Sequence, residues 1–115
     1  MIGILNRIGL CSKGRFKKRH LSDIIGVVVH RIGPVSGVHK GKRWPLSEAE
    51  TIARFFQNFP AIGKMPYTFV VLPNGDVEQA LPLSYRAPGA INLNPNFIQV
   101  AVVGDFRKKP PTPGS

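Results

Sequence analysis

The run Ile24-Ile25-Gly26-Val27-Val28-Val29 constrains the fold more than any other stretch of this chain. Five of its six residues are β-branched. Such side chains are stiff at χ1 and fit the pleated surface of a sheet better than the wall of a helix. The run is far shorter than the ~20 residues that a membrane-spanning helix needs. Bounded by Asp23 and His30, it predicts a strand buried on both faces. A chain of 115 residues has room for one such core and not for two.

The rest of the chain supplies partners for that strand. Ser47-Glu48-Ala49-Glu50 opens a helix, with Ser47 as N-cap and Glu50 three residues on to complete a capping box. Ile52, Phe55, Phe56 and Phe59 follow at helical spacing and predict one apolar face. Pro60 ends the helix. Tyr67 to Leu72 predicts a strand, Asn74-Gly75 a tight turn and Val77 to Leu81 the returning strand. Phe97 to Val103 is a further apolar strand, closed by Gly104. The order strand, helix, hairpin, strand predicts a mixed α/β fold: a central mixed β-sheet with flanking helices.

Sixteen Lys and Arg face six Asp and Glu, a formal charge of +10. Such a balance favours polyanionic partners without choosing among nucleic acid, anionic lipid and wall polymer. Much of the excess lies in residues 1–22, which carry no acid before position 23 and include the cluster Arg15-Phe16-Lys17-Lys18-Arg19-His20. Three readings stand for this segment: a polyanion-binding arm, a solvated tail, or the charged face of a short helix. The natural division is a basic N-terminal segment, 1–22, and a domain from 23 to 115. The single cysteine, Cys11, excludes an internal disulfide and a Cys-rich zinc module, and reads as a free thiol in that tail. No run is long enough for a membrane span, and no export signal is visible, so a soluble protein made in the cytoplasm is expected.

Three histidines are candidates for chemistry. His20 lies in the basic cluster and His39 beside Lys40, so both read as exposed. His30 follows directly on the apolar strand, where a rigid element aims a side chain into a cleft.

At these residues a family resemblance enters. Ile25-Gly26-Val27-Val28-Val29-His30 resembles the first strand and first zinc ligand of the N-acetylmuramoyl-L-alanine amidases. That group includes the peptidoglycan recognition proteins and the phage lysozyme-type amidases. Glu48 to Phe59 resembles the family helix, Met65 to Val71 its Pro-Tyr-His-Phe strand, and Pro73 to Gln79 its hairpin. Asn96 to Phe106 resembles its Asn-Ser-Ile-Gly-Ile strand, which ends in Val-Gly-Asp-Phe. The resemblance covers about residues 24–113 and implies an amidase-type or peptidoglycan-recognition-type fold. It implies hydrolysis of the lactyl–L-alanine amide of peptidoglycan at the cell wall, as in an endolysin, by water activated on zinc. His30 falls on the first metal ligand. Tyr67 falls on a tyrosine beside the metal-bound water, placed to hydrogen-bond a developing oxyanion. On a reading as a peptidoglycan-binding module, Arg86, Asn92 and Asn94 are expected to line a groove for sugar and stem peptide.

The departures from the family pattern are specific. Thr68 stands where the family has His, Gly89 falls near another family His, and Ala101 stands where some branches place Glu. Arg31 follows His30 where a smaller residue or a second His is usual. The family's remaining two ligands, a His and then a Cys or Asp, lie past the Gly-Asp-Phe strand behind a helix. The sequence ends at Ser115, with Pro111-Thr112-Pro113 resembling the lead-in to that helix. The expectation is therefore the front part of such a domain, with one of three zinc ligands. Three functions follow: an amidase impaired as given, a non-catalytic peptidoglycan-binding module, and a basic nucleic-acid binder resting on charge alone.

Overall fold

A computed structural model describes residues 3–33, 38–39, 42–43, 47–90 and 95–104, with backbone alone at 38–39 and 42–43. Asn92, Asn94 and the segment from Asp105 onward, with its Pro111-Thr112-Pro113, lie outside the described residues.

Strand β1 spans Ile4–Asn6, helix α1 Ile8–Cys11 and strand β2 Gly26–Ile32. Two short paired strands follow, β3 at Val38–His39 and β4 at Lys42–Arg43. Helix α2 spans Glu48–Gln57, and β5, β6 and β7 span Phe69–Val71, Val77–Gln79 and Phe97–Val103. Five strands form one sheet in the order β1-β6-β5-β7-β2. Only β5 with β6 is antiparallel; β1 with β6, β5 with β7, and β7 with β2 are parallel. This is the expected mixed sheet.

The hairpin between β5 and β6 closes through Gly75, whose φ of 92° suits a residue without a Cβ. The Gly75 N–H donates to the Leu72 carbonyl, and the Leu72 N–H to that of Asp76. Helix α2 starts as its sequence predicts. The Glu50 N–H donates to Ser47 Oγ at 3.2 Å, and the Ser47 N–H donates to the Glu50 carboxylate at 3.1 Å. A cap of this kind contributes about 1 kcal/mol.

Side chains alternate between the two faces of a strand, which assigns each face its residues. One face carries Val70, Glu78, Gln99, Ala101 and Val103, all buried. Cys11 of α1 and Ala49, Ile52 and Ala53 of α2 pack there and complete the core. The opposite face carries Val27 and Val29, which are 54% and 61% exposed. The expectation of a first strand buried on both faces is thus corrected: β2 is an edge strand, covered on one side among the described residues. Hydrophobicity alone could not show this, because an apolar run looks the same whether one or both of its faces are covered.

The described part of the basic segment, residues 3–22, is not a solvated tail. Strand β1 pairs with β6, Lys18 bridges Tyr85, and the Arg86 N–H donates to the Lys17 carbonyl. Arg19 is buried and donates to the carbonyls of Leu83 and Phe97, both at 2.9 Å. Phe16 stacks on Tyr85, with Lys18 over the Tyr85 ring and Lys64 over Phe16.

Cys11 likewise belongs to the core and not to a tail. Burial first, then the nearby Glu50 and Glu78 carboxylates, raises its thiol from 9.0 to about 12. The thiol is protonated in the folded chain and should ignore a thiol reagent at neutral pH, reacting only on unfolding. The unfolded chain releases this proton near the ordinary thiol value, and the folded chain releases it only near the raised one. The stability tied to Cys11 is therefore present below pH 9 and lost as pH rises toward 12. Urea midpoints across that window should fall more steeply for the wild type than for Cys11→Ala, and parallel slopes would refute the assignment.

Candidate functional site

The site grows from one face of the sheet. In the β2–β7 register Val28 pairs with Gln99, His30 with Ala101 and Ile32 with Val103. Cross-strand partners share a face, so His30 projects on the side of Gln99 and Ala101. It lies within β2, two residues before the end at Ile32, and not at the strand's end. Its strand is the sheet's edge and not its centre.

Tyr67 precedes β5, and β7 lies between β5 and β2. Tyr67 and Thr68 are consecutive and both buried, so the chain leaves regular strand alternation there. The Tyr67 ring meets the His30 ring at 5.3 Å between centroids, tilted by 53°. Burial raises the Tyr67 pKa, which keeps the phenol protonated and able to donate a hydrogen bond.

Aromatic contacts continue outward along α2. Phe56 packs edge-on to Tyr67 at 6.1 Å and to Phe55 at 5.1 Å, and Phe55 stacks on Phe59 at 6.1 Å. Phe55 is 55% exposed and Phe59 is 43% exposed. The helix face predicted from Ile52, Phe55, Phe56 and Phe59 is therefore split. Ala49, Ile52 and Ala53 enter the core, Phe56 is half-buried, and Phe55 and Phe59 face outward.

Behind His30 sits Gln99, fully buried, with its side-chain oxygen 2.7 Å from His30 Nε2. Gly89 lies against it: a Cβ there would come within 3.1 Å of Gln99 Oε1 and 2.7 Å of the Pro66 carbonyl oxygen. Thr68 is buried beside this pair, its N–H donating to the Gln99 carbonyl. Among the described residues, Thr68 Oγ1 and Gln99 Nε2 are buried without a hydrogen-bond partner. Sequence reasoning missed Gln99. Its one signal was a polar residue in the otherwise apolar run Phe97–Val103.

The Arg86 N–H donates to the Lys17 carbonyl, and Arg86 Nε is buried without a hydrogen-bond partner among the described residues. After burial, the Arg86 charge contributes to lowering the pKa of Arg19. No hydrogen bond or ring contact among the described residues joins it to His30 or Tyr67. His20 is exposed, with its N–H donating to the Asp23 carboxylate.

No group of three His, Cys, Asp or Glu side chains among the described residues is placed to hold a metal ion. His30 alone does not make a three-ligand zinc centre, and one of its two nitrogens already meets Gln99. The described residues therefore do not fit the group by themselves. No helix among them is long and apolar enough to cross a membrane.

A mixed sheet in this order, with its helices on the His30 face, is the fold of the peptidoglycan amidases and peptidoglycan recognition proteins. The Ph2119 endolysin of the Thermus scotoductus MAT2119 bacteriophage Ph2119 shares it at a TM-score of 0.71 and 25% identity, over 94% of this chain and 65% of that one. Bumblebee PGRP-SA shares it at a TM-score of 0.68 and 16% identity, over 95% of this chain and 65% of that one. The N-acetylmuramoyl-L-alanine amidase LysCS, an endolysin from Clostridium intestinale URNW, shares it at 0.64 and 13%, over 95% and 62%. The chain thus spans less than two thirds of each of these neighbours' length. No family model matches the sequence, and no curated protein matches it.

Proposed function

We propose that this protein is a peptidoglycan-directed domain that binds the wall polymer through the surface running from His30 and Tyr67 to the exposed rings of Phe55 and Phe59. The fold shared with the Ph2119 endolysin, at 25% identity, carries this reading. The chemistry agrees with it. Exposed rings such as Phe55 and Phe59 offer flat apolar faces to the C–H faces of sugars, and a protonated phenol at Tyr67 offers a donor to an amide carbonyl. The +10 charge favours an anionic wall.

A second reading, hydrolysis of the lactyl–L-alanine amide, is favoured by the His30–Tyr67 pair, whose rings lie 5.3 Å apart. On this reading Tyr67 donates to the oxyanion as it forms. Zinc activation of water would need ligands beyond the described residues, since such a centre uses about three. Nucleic-acid binding through the basic arm has less support. Arg7 is paired with Glu78, Arg19 is spent on backbone carbonyls, and Lys18 and Lys64 lie over rings.

Sedimentation with purified sacculi tests the proposal. Binding should survive high salt, whereas contact by charge alone weakens steeply. Phe55→Ala should weaken it about tenfold, the equivalent of ~1.4 kcal/mol, without loss of fold. No co-sedimentation, or equal binding by Phe55→Ala, would overturn this surface assignment. Release of stem peptide with added zinc would establish the hydrolytic reading.

A further inference from the structure

We infer that Gln99 is a positioning residue for His30, fixing the imidazole as the Nε2–H tautomer and leaving the ring's lone pair on Nδ1. The contact is short, 2.7 Å between His30 Nε2 and Gln99 Oε1. An amide oxygen carries no proton, so the hydrogen of this bond belongs to the ring. A neutral imidazole has one N–H and one lone pair, and the partner of one nitrogen decides which nitrogen carries which. With Nε2 donating, Nδ1 is the atom that can accept a substrate proton or meet a cation. Hydrogen bonds of this kind orient functional histidines.

Two further observations make Gln99 a built feature. It is fully buried on β7, two residues before Ala101, the register partner of His30, and on the same face, so the oxygen reaches the ring diagonally from a rigid strand. The chain that passes over it carries Gly89, where any Cβ would strike Gln99 Oε1 and the Pro66 carbonyl. A long side chain on the strand is thus matched to a residue without one above it. In this chain the room between strand and loop is filled by the amide that holds His30. The inference concerns the state of His30 itself and stands whether or not the surface binds peptidoglycan.

Imidazole ¹⁵N spectra of the full chain test it, recorded at about pH 8, where an ordinary histidine is neutral. Two-bond couplings locate the proton on each ring, and His30→Asn identifies the His30 signals. In the wild type the His30 proton is expected on Nε2 and visible in the one-bond spectrum, because a bonded N–H exchanges slowly with water. The exposed His20 serves as the fast-exchanging reference. Gln99→Met, similar in size but without the amide acceptor, should speed exchange of that proton at least about tenfold, whereas Gln99→Glu keeps an acceptor and should keep it slow. A wild-type proton on Nδ1 would overturn the assignment and would place the Gln99 NH₂ group against Nε2. Unchanged exchange in Gln99→Met would also overturn it. The wild-type spectrum decides the matter even if a variant fails to fold.

Discussion

Glu78→Ala should destabilise the protein by ~3 kcal/mol, although this residue lies outside the candidate site. Its carboxylate is 2% exposed and binds two separate parts of the chain. Oε2 accepts from Arg7 Nε at 2.9 Å, tying the end of β1 to β6. Oε1 accepts from the Ala49 N–H at 2.9 Å, in the first turn of α2. The first N–H groups of a helix have no partner within it and carry a positive partial charge, so a carboxylate there satisfies a donor and complements the dipole. Alanine leaves the Ala49 N–H buried without this acceptor and opens a cavity beside the core. Arg7, with a side chain 37% exposed, can turn to water when its partner is lost. Arg7→Ala should therefore cost much less, about 1 kcal/mol. Urea unfolding of both variants checks this, and equal losses would contradict the claim that the helix contact is the larger part.

Ile52→Ala should cost about 3–4 kcal/mol, while Phe55→Ala on the next turn should change stability by no more than about 0.5 kcal/mol. Ile52 is fully buried in the core, and its loss leaves a void that packed neighbours fill only in part. Phe55 is more than half exposed and contacts mainly the rings of Phe56 and Phe59. Two large apolar residues three apart on one helix thus separate into a core residue and a surface residue. Comparable losses from the two substitutions would return Phe55 to the core and remove it from the proposed binding surface.

Local rules reached a good part of this fold. The capping box at Ser47 and Glu50 and the turn at Gly75 rest on interactions within a few residues, and both were legible in the sequence; the strand expected over Tyr67 to Leu72 is regular only over Phe69–Val71. His30 and Tyr67 were found through the residues flanking them, and the structure sets their rings side by side. The exposed face of Val27 and Val29 was not legible, because an apolar run does not record whether it lies at the edge or the centre of a sheet. Nor was the placement of residues 3–22, whose charges read as those of a solvated segment until β1, Cys11 and Arg19 are seen at their partners.

By itself, then, the sequence determined the kind and order of β2, α2, β5, β6 and β7, and singled out His30 among three histidines. Those properties depend on side-chain shape and spacing along the chain. Tertiary structure alone decided what meets across it: Glu78 with Ala49, Arg19 with Phe97, and Gln99 with His30, pairs separated by 29, 78 and 69 positions. Each depends on a strand register or a loop path, and a shift of one residue in either would turn the side chain to the opposite face.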